Sequence, residues 1–151
     1  ALMAGKSEEY PLVVSRHQRP KPQIALGALL REAGASSLND ISDGLSREAN
    51  EIAKASGVAI GIEEEKIPLS QESQRLGQEL RKNPLSWAWN GGEDYQLVGT
   101  ISPENYENMQ DNDLITVIGR VVESSDTPGV YAMSHGKKVK VAAHGYDHFN
   151  M

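Results

Sequence analysis

Leu45, Ala49, Ile52 and Ala53 recur at i, i+4, i+7 and i+8, so that on a helix they fall on one face. Asp43-Gly44 turns the chain into this stretch and Gly57 closes it. Directly afterwards, residues 58–62 read Val-Ala-Ile-Gly-Ile, an apolar run of strand length. A helix that must bury a stripe, followed at once by a strand that must be buried, commits the chain to helices layered on a sheet. Other segments agree with that plan. Helices are predicted over residues 23–33, over about 71–82 with Ser70 as cap, and over 103–109. Strands are predicted over 37–41, 95–101 and 114–122, and residues 130–132 and 138–142 form a hairpin across His135-Gly136. The reading is an α/β (α+β) layered sandwich on a mixed sheet flanked by helices. Asn83-Pro84 ends the capped helix, and Trp87 and Trp89 alternate after it, one toward the core and one toward the rim of the next turn.

Such a plan needs enough chain to close a core. At 151 residues, 38% hydrophobic and 24% charged, one ordinary domain is expected, with no cysteine and hence no disulfide or thiolate metal site. Fifteen basic against 21 acidic residues give a net charge of -6, which argues against nucleic acid or anionic membrane as partner. No window approaches the roughly 20 apolar residues of a membrane span, and no secretion signal opens the chain, so it reads as soluble and cytoplasmic. Residues 1–22 are polar apart from Leu12-Val13-Val14 and end in Arg19-Pro20-Lys21-Pro22. They read as a lead-in, and the first residue, Ala1, suggests a piece of a longer protein; the domain proper is expected over 23–151.

Two acidic motifs carry the chemistry. In Asn39-Asp40-Ile41-Ser42-Asp43-Gly44-Leu45, two carboxylates flank a hydroxyl at a strand-to-helix junction. Magnesium takes oxygen ligands and is commonly held by one or two carboxylates while phosphates complete its shell, and amides at the helix start favour an anion. The same residue types also make a plain N-cap with a solvated Asp40. In Asn90-Gly91-Gly92-Glu93-Asp94-Tyr95-Gln96-Leu97, the glycines permit positive φ or close approach, placing Glu93 and Asp94 at a strand mouth, either facing a cationic ligand or simply solvated on a turn. Glu63-Glu64-Glu65 reads as a solvated edge. His144 and His148 are four apart, a spacing that suits zinc on a helix, but Gly145 and the lack of cysteine argue against it. Tyr146 and Phe149 offer either a stacking surface or a pin for the C-terminus.

Taken in order, Arg16-His17-Gln18-Arg19-Pro20-Lys21-Pro22, NDISDGL (39–45), NGGEDYQL (90–97) and His144-Gly145-Tyr146-Asp147-His148-Phe149 resemble the C-terminal domain of thiamine-monophosphate kinases. These belong to the aminoimidazole ribonucleotide synthetase-like ATP-binding superfamily. The resemblance implies ATP- and magnesium-dependent conversion of thiamine monophosphate to thiamine diphosphate by in-line phosphoryl transfer. It places Asp40 and Asp43 on magnesium, Ser42 on ATP, and Glu93 and Tyr146 on the substrate, with Asp94 supporting the turn. It also implies an N-terminal domain that this chain does not contain, a homodimer of the full-length protein, and inactivity of this piece alone. Gln23, Asn39 and Gln96 depart from the family pattern without removing a ligand. Two alternatives stand beside it: another ATP-using synthetase of the superfamily, and a non-catalytic binding module of the same fold.

Overall fold

A computed structural model describes residues 1–122 and 127–143. Among them, helices and strands interleave as the patterns predict. Helices α1 (Pro11–Gln18) and α2 (Ile24–Glu32) precede strand β1 (Ser37–Asp40), helix α3 (Leu45–Ser56) and strand β2 (Ala59–Glu63). Then come α4 (Gln71–Leu80), α5 (Pro84–Asn90), β3 (Leu97–Thr100), α6 (Pro103–Glu107), β4 (Gly119–Val122), β5 (Gly129–Ser134) and β6 (Lys137–Val141).

The strands form two sheets. β1 pairs antiparallel with β3, from Ser37↔Thr100 to Asp40↔Leu97. The other sheet has the order β4-β2-β5-β6 and is mixed, since β2 and β5 run parallel while the outer pairs are antiparallel. Strand alternation decides its faces. Ile60 and Ile62 on β2, with Val130 on β5, turn toward Leu45, Ala49, Ile52 and Ala53 of α3, and all are buried in one core with Ile41, Ile67 and Trp89. The intervening Gly61, Tyr131 and Met133 line the opposite face. Asn50 stitches helix to sheet: its amide donates to the Ser46 carbonyl (2.8 Å) and the Val141 carbonyl (3.2 Å), and its oxygen accepts from the Val130 amide (3.2 Å).

Several local expectations change. Asn83-Pro84 ends α4 but also starts α5, because proline at a first helical position gives up an amide that would be unpaired anyway, and Asn83 Oδ1 caps Leu85 N at 3.0 Å. The tryptophans are therefore helical; Trp89 is core and Trp87 is half-buried. The strand predicted from residue 114 begins only at Gly119, since Asn112 draws Leu114 and Ile115 into a turn. Glu64 and Glu65 are not merely solvated. Glu64 accepts from the Trp89 indole (3.0 Å) and Glu65 from the Ser134 hydroxyl (2.9 Å).

The polar lead-in also folds onto the rest. Tyr10, buried, donates its hydroxyl to Glu79 of α4 (2.6 Å), Lys6 bonds the same carboxylate, Arg75 lies 5.5 Å from the Tyr10 ring, and Val13 N donates to Glu72 (3.0 Å). Paired polar groups do here what an apolar stripe does elsewhere, which is why hydropathy alone reads the segment as a lead-in.

The hydrogen bonds from Lys6 and Tyr10 hold the Glu79 carboxyl below its ordinary value of 4.5. A depressed folded-state pKa contributes stability that is complete above 4.5 and disappears as pH falls through the lower folded value. Amide protection in residues 10–18, relative to the intrinsic exchange rate at each pH, should therefore fall on acidification below that point, and Glu79→Gln should remove the acid dependence. Gly44 has φ 106°, and a Cβ there would sit 3.0 Å from the Trp89 carbonyl oxygen and Asn90 carbonyl carbon. Gly44→Ala should cost about 1–3 kcal/mol or more in urea denaturation, from strain plus contact with rigid backbone.

Candidate functional site

The two acidic motifs lie side by side. The β1–β3 pairing continues past its last regular partners: Ile41 N donates to the Gln96 carbonyl (2.7 Å), Tyr95 N to the Ile41 carbonyl (2.9 Å) and Glu93 N to the Ser42 carbonyl (2.7 Å). Asp40, Ser42 and Asp43 thus share an edge with Glu93, although some 50 residues separate the motifs.

In NGGEDYQL, Gly91 acts by lack of volume, not by handedness. Gly91 has φ -74°, and neither it nor Gly92 has a positive φ. A Cβ on Gly91 would lie 2.5 Å from the Trp87 carbonyl oxygen, so the end of α5 closes only around glycine. Left-handed backbone falls instead on Glu93 (φ 64°) and Tyr95 (φ 53°). Two such residues within three is uncommon for side chains bearing a Cβ, and the amides of both are tied to the Ser42 and Ile41 carbonyls. Tyr95 therefore does not begin a strand, and β3 starts at Leu97.

Each acid has a distinct setting. Asp40 is exposed at the end of β1, and its side chain makes no hydrogen bond or ion pair within the described residues. Asp43, partly covered, pairs with Arg47 at 3.3 Å. Glu93 lies 3.8 Å from His17 of α1, both half-exposed, a pairing that solvent screens. Desolvation pushes the Asp94 carboxyl above its ordinary value, partly countered by the positive charge of Arg16, which also comes from α1. The last turn of the lead-in helix therefore borders the acid turn, a placement that the sequence did not reveal. Tyr146, His144 and His148 lie outside the described residues.

Among the described residues no group of three or more His, Cys, Asp or Glu is gathered as a ready metal shell. The donor set of NDISDGL, two carboxylates and a hydroxyl, is all oxygen, and a partly hydrated magnesium needs no more than one or two carboxylates from protein. The residues fit that ion. A cavity of about 390 Å³ lies on the outer sheet face beside Gly61, Tyr131 and Met133, and one of about 550 Å³ lies beside Trp89, Asn90 and the β5–β6 hairpin. Neither is lined by Asp40, Ser42, Asp43 or Glu93. The acidic edge is an open surface, identified by backbone adjacency and donor chemistry, not by enclosure.

Glu48 was not foreseen as part of this site. It sits at i+3 from Leu45, on the apolar face of α3, and that misplaced charge is the signal that could have identified it.

Residues 2–131 match the family model described as AIR synthase related protein, C-terminal domain. The chain is 35% identical to the thiamine-monophosphate kinase of Bacillus subtilis over 148 residues, covering 95% of this chain and 44% of the relative. It is 39% identical to that of Aquifex aeolicus over 152 residues, covering 98% and 46%. It thus spans less than half the length of these curated relatives. Among solved structures it is similar to AaThiL complexed with AMPPCP and TMP, with a TM-score of 0.74 and 40% identity over 90% of this chain and 40% of that one. It also shares its fold with the hydrogenase maturation protein HypE, with a TM-score of 0.64 at 18% identity over 85% of this chain and 43% of that one. With the interleaved helices, the mixed sheet and the two adjoining acidic motifs, this match places the chain in the family of AIR synthase related proteins, as a C-terminal domain.

Proposed function

We propose that this chain is the C-terminal half of a kinase that uses ATP and magnesium to phosphorylate thiamine monophosphate to thiamine diphosphate. The observation that carries the reading is the backbone joining of Glu93 to Ser42 and Tyr95 to Ile41, which sets a candidate substrate carboxylate beside a candidate metal and nucleotide loop. The similarity to thiamine-monophosphate kinases over nearly the whole chain supports it.

Phosphoryl transfer demands positioning and charge neutralisation more than covalent chemistry. Asp40 and Asp43 would hold magnesium, which when bound supplies positive charge against the phosphate oxygens. Asp43 is already steered by Arg47, and Asp40 is open to solvent. Ser42 would hydrogen-bond the nucleotide. Glu93 would face the cationic thiazolium or the amino-pyrimidine of the substrate, with its backbone pinned by Ser42 and its side chain near His17. Tyr146 would add an aromatic face to the same cation. The open acidic edge supports a site shared with a second domain, in keeping with the length of the relatives. A homodimer of the whole protein and a cytoplasmic location belong to the same proposal. This chain alone would be inactive.

In the whole polypeptide, Asp43→Ala should lower magnesium-dependent thiamine diphosphate formation at least about 100-fold while the melting temperature holds; undiminished turnover would remove Asp43 from the metal site. Glu93→Gln should raise KM for thiamine monophosphate and leave KM for ATP unchanged, and an equal rise in both would argue against its contact with substrate. Calorimetry of this chain alone with thiamine monophosphate and magnesium should detect weak binding or none. Tight binding would favour a self-sufficient binding module instead.

A further inference from the structure

Glu48 is 7% exposed on the first turn of α3, and among the described residues it has no cationic partner. A carboxylate withdrawn from water needs donors to hold it. It has three, and all come from the NDISDGL loop: Asn39 Nδ2 at 2.6 Å, and, more loosely, Ser42 Oγ and the Asp43 backbone amide, each at 3.4 Å. Asn39, a departure from the family pattern, is the closest of these. Nothing in the packing of α3 calls for a carboxylate here, because its neighbours on the same face, Leu45, Ala49 and Ile52, are apolar and buried. What holds a carboxylate here is the donor set of the loop, not the apolar face of α3.

We propose that Glu48 is a positioning residue for the nucleotide and metal loop, an inference that rests on the kinase reading above. By accepting from Ser42, the carboxylate turns that hydroxyl's proton inward and leaves its lone pairs outward. Ser42 then meets a nucleotide as an acceptor, suited to a hydroxyl or amino group and not to a phosphate oxygen. By accepting from the Asp43 amide, the same carboxylate anchors the backbone that carries a metal ligand, and it removes that amide from the set able to bind an anion directly. Its negative charge lies behind Asp43, where it favours a cation over an anion at the loop.

The test uses the whole polypeptide, its Glu48→Leu and Glu48→Gln variants, and calorimetric titration with AMPPCP plus magnesium and, separately, with thiamine monophosphate, alongside thermal melting. Glu48→Leu should weaken AMPPCP–magnesium binding about tenfold or more, the scale of losing a group that orients a metal ligand. Thiamine monophosphate affinity should stay within about twofold, and the melting temperature should fall by no more than a few degrees, the cost of leaving the part-buried donors of the loop to water. Glu48→Gln keeps an acceptor oxygen for Ser42 and Asp43 if the Asn39 amide turns to offer its own oxygen, so its affinity should stay within roughly threefold, the size of one ordinary hydrogen bond. A folded Leu variant that binds AMPPCP–magnesium like the parent overturns the proposal. So does joint loss of both ligands and of melting temperature, the mark of a purely structural residue. Where the Leu variant does not fold, the nearly isosteric Gln variant decides: the Asp43 amide proton resonance should move upfield as its acceptor loses charge, and an unmoved resonance overturns the proposal. A parent that binds AMPPCP–magnesium but does not phosphorylate thiamine monophosphate overturns the substrate reading alone, and leaves the affinity comparison at Glu48 to be judged on its own result.

Discussion

Burial of one face of α3 is the interaction on which the rest depends. Leu45, Ala49, Ile52 and Ala53 meet Ile60, Ile62 and Val130 of the four-stranded sheet, and the same helix touches α5 and both strands of the smaller sheet. The alanines, 1% and 0% exposed, let helix and sheet approach closely, while Leu45 and Ile52 each contribute on the order of 1.5–3 kcal/mol by leaving water. Because α3 is fixed at this junction, its start is fixed too. The loop that carries Asp40, Ser42 and Asp43 is held between a rigid helix and the end of β1.

The acid turn is placed by a chain of close contacts that ends at the same loop. Gly91 lies where the Trp87 carbonyl leaves no room for a Cβ, Gly44 passes over the backbone of Trp89 and Asn90, and Trp89 anchors α5 in the core. With α5 and α3 thus locked, residues 93–96 must pair with residues 41–42, and Glu93 and Tyr95 take left-handed backbone to do so. Such conformations cost of order 1 kcal/mol or more for residues with a Cβ, and here hydrogen bonds on both amides offset it. Strain, paired backbone and carboxylates coincide at one edge.

Most regular elements were legible because each has a local cause. The 3.6-residue stripe of α3, the Ser70 cap of α4 and the His135-Gly136 turn of the closing hairpin all act within a few residues. The failures share a cause as well. α1 is held by Tyr10, Lys6 and Glu79, partners 69 and 73 residues apart, and α5 by Trp89, whose indole reaches back to Glu64. Neither leaves a periodic signal of its own.

By itself the sequence determined the chemistry available: oxygen ligands without thiols, a net negative charge, two acidic motifs, and helices layered on a mixed sheet. These follow from residue type and short-range pattern. Only the tertiary structure decided that the motifs share an edge, that Gly91 serves close packing while Glu93 and Tyr95 carry the positive φ, that Arg16 and His17 border the acids, and that Glu48 lies buried beneath Ser42 and Asp43. Each of these depends on which distant segments meet, and that is settled by the burial of α3 against two sheets, a contact that no local window contains.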